Sequence, residues 1–108
     1  MSLKALETEM HTFVRSKGWY AADSPRPQTP RNLAISLVLE ASELLEHFQW
    51  GEESADPSSL ASEMADVALY LLQLASISGI DLEQAIRAKL ALNHERTWPA
   101  ATPDHPAP

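Results

Sequence analysis

Residues 57–78 read PSSLASEMADVALYLLQLASIS, and this stretch decides the fold. Asp56 and Pro57 open it as a helix, the aspartate as N-cap and the proline at the first helical position, where its missing N–H is not needed. Gly79 stands where a helix of this length finds its C′ residue. Between Met64 and Ala75 the only strongly polar residues are Asp66 and Gln73, so the helix is apolar nearly all round and is expected to be buried on most sides. It reads as too short to span a membrane, and no other segment approaches that length. Small domains leave much of their surface exposed, so the rest of this 108-residue chain can hardly enclose such a helix by itself. A second subunit is expected to cover what remains, giving a homodimer or larger assembly.

Outward from this helix the chain reads as helix again. The only glycines are Gly18, Gly51 and Gly79, and no strand pattern competes between them. Leu3, Leu6, Met10, Phe13 and Val14 recur at helical spacing and predict a first helix over Ser2–Lys17, followed by a loop over Gly18–Thr29. Thr29 and Pro30 start a second helix that is expected to reach Gln49. Asp81, with Gln84 three residues on, resembles a capping box and predicts a fourth helix to about Arg96. The expectation is an all-α, four-helix-bundle-type domain over residues 1–98. The tail 99–108 holds half of the 8 prolines and is expected to be extended or disordered.

Composition narrows the function. The absence of cysteine excludes disulfides, thiolate zinc sites and cysteine nucleophiles, and it suits a cytoplasmic setting. The net charge of −7 repels nucleic-acid polymers and anionic membranes, whose binding needs clustered basic residues. The N-terminus MSLKALETEM has no apolar run fit for a signal peptide.

Two acidic pairs carry the chemistry. On a wheel starting at Leu33, Leu37, Leu44 and Phe48 fall at about 40°, 20° and 60°, and Glu40 falls at about −20°, inside their apolar stripe. Glu43 lies at the stripe's edge near −80°, beside Ser36 and His47, so the two carboxylates converge from neighbouring turns. On the next helix, with Leu60 as origin, Glu63 lies near −60°, Asp66 near −120° and Tyr70 near −80°. If the apolar faces pack together, Glu40, Glu43, Glu63 and Asp66 share one site. Most carboxylates are solvated, but four in a cluster repel and demand a cation. Few lysines or arginines are near, and hard divalent ions take oxygen ligands, so a Mg2+ site is expected, with Mn2+ as a substitute. Di-iron bundles use Glu-x-x-His motifs, whereas His47 comes four residues after Glu43.

The last helix supplies the opposite sign. From Leu82, Lys89, Asn93 and Arg96 fall at about −20°, 20° and −40° on the stripe of Ile86, so an inward face ends in two cations and an amide. Beside a metal site this points to a triphosphate. Trp50, after Phe48 at the end of the helix bearing Glu40, is placed to stack on a base, and Trp19 is a weaker candidate for the same pocket. Trp98 is expected simply to pack against the domain.

Taken in order, Pro30-Arg31-Asn32-Leu33, Glu40-x-x-Glu43 leading to Phe48-Gln49-Trp50, Glu63-x-x-Asp66 with Tyr70, and Lys89-x-x-x-Asn93 before Arg96 resemble the MazG-like all-α nucleoside triphosphate pyrophosphohydrolases, especially the dCTP pyrophosphatase branch. The resemblance covers about residues 10–99. It implies a helical dimer or dimer of dimers, with an active site assembled with a partner subunit, that converts a (deoxy)nucleoside triphosphate to monophosphate and pyrophosphate with Mg2+. It further implies Glu40, Glu43, Glu63 and Asp66 as metal ligands, Lys89, Asn93 and Tyr70 near phosphates or sugar, and Trp50 along the base. Glu43, at the stripe's edge, is the expected water-activating carboxylate, and Lys89 the expected counter-charge. The segment YAADSPRPQT before Pro30 departs from the aromatic and histidine common there in the family, so the base preference, a pyrimidine with dCTP before dUTP or dTTP, rests on the resemblance alone. Two other readings compete: a phosphoribosyl-ATP pyrophosphohydrolase relative, with the same chemistry on another substrate, and a non-enzymatic helical interaction module. The module leaves Glu40 inside an apolar stripe unexplained.

Overall fold

The computed structural model describes residues 2–54 and 56–96 of the chain. Four helices follow one another: α1 (Leu3–Ser16), α2 (Pro30–Glu46), α3 (Pro57–Ile77) and α4 (Leu82–Glu95). Each begins on a side-chain cap. The Ser2 hydroxyl accepts from the Ala5 amide, Thr29 from Asn32, Asp56 from Ser58 and Ser59, and Asp81 from Gln84. These bonds satisfy amides that the first helical turn leaves without carbonyl partners. Gly79 ends α3 with φ at +74°, where a side chain would be strained, and lets the Ile80 amide turn back to the Ala75 carbonyl at 2.8 Å.

α3 is the axis of the fold: it packs along α2 and also touches α1 and α4, whereas α4 meets α1 and α3 but not α2. The core is small. Met10 and Val14 of α1, Leu33 of α2, and Leu72 and Ala75 of α3 are buried, while Met64, Leu69 and Leu71 on α3 remain 40–55% exposed. The single chain thus leaves uncovered part of the apolar surface that the sequence places on this helix.

Two expectations change. α2 ends at Glu46, short of Gln49, because residues 47–50 tighten into turns, the Gln49 amide bonding the Glu46 carbonyl and His47 Nδ1 lying 2.9 Å from Ser54 Oγ. α3 has 21 residues and is long and apolar enough, by length and composition alone, to cross a membrane, so its expected shortness does not hold. Here it packs against the other three helices and carries Glu63 into a polar cluster. The expectations for Trp98 and for the tail 99–108 fall outside the described residues.

Candidate active site

Packing α2 along α3 brings Glu40 and Glu43 to Glu63, each offering a carboxylate oxygen within 4.8 Å of the others. Glu40 and Glu63 are half-buried and Glu43 is exposed. Oε2 of Glu40 and Oε2 of Glu63 are buried without a hydrogen-bond partner. Among the described residues the ion pairs are Lys4–Glu7 and Arg87–Glu83, neither of which reaches this cluster.

Burial pushes the Glu40 carboxyl above its ordinary value, reinforced by pairing with Glu43 and by the charges of Glu43, Asp66 and Glu63. Glu63 is raised by burial and by Glu43 in the same way, with His47 opposing and Asp66 adding. Ionised carboxylates only accept hydrogen bonds, so this cluster is satisfied by a proton or by a cation. Buried oxygens without partners, supplied by three carboxylates, fit a hard divalent ion.

Asp66 stands outside this group of three but contributes to the field on both Glu40 and Glu63. Its side chain is one methylene shorter and lies further round the helix, on the wall of a cavity of about 700 Å³. Tyr70, Trp19, Asn32, Leu33 and Gln73 line the same cavity, whose size suits a small ligand. The Arg26 guanidinium lies 5.4 Å from the centre of the Trp19 ring. Trp50 is elsewhere: it is 90% exposed and lines a smaller hollow of about 430 Å³ with Glu43, His47 and Glu63. The carboxylates therefore sit between two recesses, and Trp19, rather than Trp50, faces the larger one.

A scan against family models matches residues 35–102 to one described as the MazG-like family. The chain belongs to the MazG-like family. Among similar proteins, dCTP pyrophosphatase 1 of Mus musculus is 40% identical over 76 residues, covering 62% of this chain and 45% of the mouse protein. A dATP/dGTP diphosphohydrolase of Cyanophage S-2L is 51% identical over 39 residues, covering 36% of this chain and 37% of the phage protein. The chain thus spans less than half the length of these curated relatives. The solved structure of a pyrophosphatase from Archaeoglobus fulgidus DSM 4304 matches the fold with a TM-score of 0.73 and 33% identity, covering 90% of this chain and 92% of the archaeal one.

Within this MazG-like chain, Lys89, Asn93 and Arg96 are not brought to the carboxylates: α4 does not touch α2, and none of the three lines either recess. Lys89 and Arg96 are exposed and Asn93 is half-buried. Sequence reasoning missed a polar chain behind the cavity. Ser76 Oγ donates to Glu7 Oε1 at 2.8 Å, so His11 Nε2, 2.7 Å away, donates to Ser76. His11 Nδ1 then accepts from the Tyr20 hydroxyl at 2.6 Å, and Tyr20 in turn accepts from Gln73 Nε2 at 3.2 Å. Burial pushes the Tyr20 phenol up, against its bond to Gln73 and the Arg15 charge, which keeps it a proton donor. The isolated Gln73 in an apolar run was the one available signal, since a buried amide needs partners.

Proposed function

We propose that this MazG-like chain hydrolyses a deoxynucleoside triphosphate to the monophosphate and pyrophosphate in a Mg2+-dependent reaction, with dCTP and other pyrimidines first among substrates. The observation that carries this reading is the pair of buried, unpartnered oxygens of Glu40 and Glu63, set with Glu43, whose neighbour Asp66 lies on the wall of a cavity wide enough for a nucleoside. The names of the mouse and archaeal relatives support the same reaction class. Glu40, Glu43 and Glu63 would hold the ion, with Asp66 adjoining. Bound there, Mg2+ or Mn2+ supplies a Lewis acid that polarises phosphoryl oxygens and acidifies a water.

The chain's own groups do the rest. Glu43, the exposed member, orients a water and accepts its proton. Trp19 and Tyr70 flank the nucleoside in the cavity, and Trp50 stacks from the outer hollow. Lys89, Asn93 and Arg96 would reach the phosphates from a partner subunit in a homodimer or dimer of dimers. Exposed Ile35, Val38 and Leu39 on α2 and Ile86, Leu90 and Leu92 on α4 support such an assembly. A housecleaning role in a nucleotide pool follows from this chemistry. The phage relative's name favours a second reading, in which purine deoxynucleotides are taken.

A panel of triphosphates with Mg2+, scored for pyrophosphate, tests the reading. Pyrophosphate and monophosphate in equal amounts are expected; stepwise orthophosphate or no turnover would overturn it.

A further inference from the structure

The polar chain behind the cavity ends on an amide whose orientation is determined by its neighbours. Gln28 donates through Nε2 to the Arg26 carbonyl at 2.7 Å, so its Oε1 must point the other way, toward Gln73. Gln73 then has to present its NH2 group, and Nε2 donates to Gln28 Oε1 at 2.8 Å and to the Tyr20 oxygen at 3.2 Å. Both amide protons are spent. Turning the amide over would set two oxygens face to face at Gln28. Gln73 is 4% exposed and lines the cavity, and its Oε1 accepts no hydrogen bond among the described residues. With Nε2 committed, Oε1 is the one side-chain polar atom it has left for a ligand.

We propose that Gln73 reads the nucleobase, its Oε1 being locked as an acceptor that admits a base carrying an exocyclic amine, such as cytosine or adenine, and refuses a keto oxygen at that place, as in uracil or thymine. The proposal rests on the nucleotide reading of the same cavity. It adds that discrimination is set by the direction of one amide, held by Gln28, a neighbour on the cavity lining, and, through it, by the Arg26 carbonyl. A keto oxygen facing Oε1 leaves two acceptors without a proton between them, and a site built to bond a donor rejects an analogue lacking it more strongly than an apolar wall can. Uracil and cytosine differ at this edge alone, so they make the cleanest pair.

The test compares dCTP with dUTP hydrolysis in the wild-type chain, Gln73→Leu and Gln28→Met. Wild type is expected to favour dCTP in kcat/KM by about tenfold or more. Gln73→Leu should bring the ratio close to one. Gln28→Met leaves Gln73 in place but removes the nearer of the two acceptors that hold its amide, so only the Tyr20 oxygen at 3.2 Å still opposes the turn; the ratio should fall mainly through a gain with dUTP. Should Gln73→Leu not fold, Gln28→Met carries the test from the half-buried loop. A wild-type ratio near one, or folded variants that keep the wild-type ratio, would overturn the assignment while the hydrolase reading stands. A second arm measures the rise in melting temperature with dCMP and dUMP without metal. If no triphosphate turns over but dCMP still stabilises more than dUMP and both variants abolish the difference, the hydrolase reading fails and Gln73 stays the reader. Loss of both readouts refutes both.

Discussion

Replacing Glu40 by Gln tests whether the three carboxylates form one cation site. The change keeps the side-chain shape and removes one of three charges whose oxygens lie within 4.8 Å of one another. Glu40 and Glu63 have folded-state pKa values raised above the ordinary carboxylate value, so the native state binds protons more tightly than the unfolded chain does. Their contribution to metal-free stability is present at low pH and is lost as pH rises through the raised values. Near neutral pH the variant should therefore melt above the metal-free wild type, since its amide replaces a repelled carboxylate with a donor for Glu43 or Glu63. Mg2+ acts oppositely. At about one hundred times its dissociation constant it adds roughly 2.7 kcal/mol to the wild type, which is roughly 10 °C for a domain of this size. Losing one ligand charge should weaken binding on the order of a hundredfold, leaving about 0.4 kcal/mol, or about 2 °C, at the same concentration. The assay is thermal melting at about pH 5.5 and about pH 7.5, with and without Mg2+, for both proteins. Equal Mg2+ shifts in the two would refute a shared site, and a metal-free variant less stable than wild type near neutrality would refute the repulsion.

Trp19→Ala should raise the KM for a triphosphate roughly tenfold or more, the worth of one base–aromatic contact, whereas Trp50→Ala should have the smaller effect because Trp50 is 90% exposed; steady-state kinetics decide the order. Leu33→Ala empties a site that is 2% exposed and should cost about 2–5 kcal/mol, read as a lowered denaturant midpoint with an unchanged slope. Tyr20→Phe leaves His11 Nδ1 and one Gln73 proton without partners and should cost about 1–3 kcal/mol; an unchanged melting temperature would contradict the hydrogen-bond chain. Sedimentation at micromolar concentration should give a dimer or larger, and Lys89→Ala should lower kcat without lowering the melting temperature; a stable, active monomer would refute the placement of Lys89 across subunits.

The helices were legible because their determinants are local. Caps such as Asp56 and Asp81, prolines at Pro30 and Pro57, and Gly79 past α3 act within one turn of chain, and the structure keeps them at the positions read from the sequence. Helical period alone also turned Glu40, Glu43 and Glu63 toward the α2–α3 seam. The end of α2 was not legible, because His47 and Ser54 meet only once the following turn is formed. Nor was the separation of Asp66 from the other three carboxylates, which depends on the rotation of α3 against α2 and on the reach of an aspartate. A wheel gives directions around one axis and says nothing of distances between two. The exchange of Trp19 for Trp50 on the larger cavity, and the polar chain from Glu7 through His11 and Tyr20 to Gln73, join residues up to 69 positions apart. Sequence by itself determined which residues cap the helices and which are acidic, while the inward face expected for Lys89 and Arg96 did not hold, since both are exposed. Tertiary structure alone decided which polar atoms meet, because hydrogen bonds and cavities depend on distances of a few ångströms that periodicity does not carry.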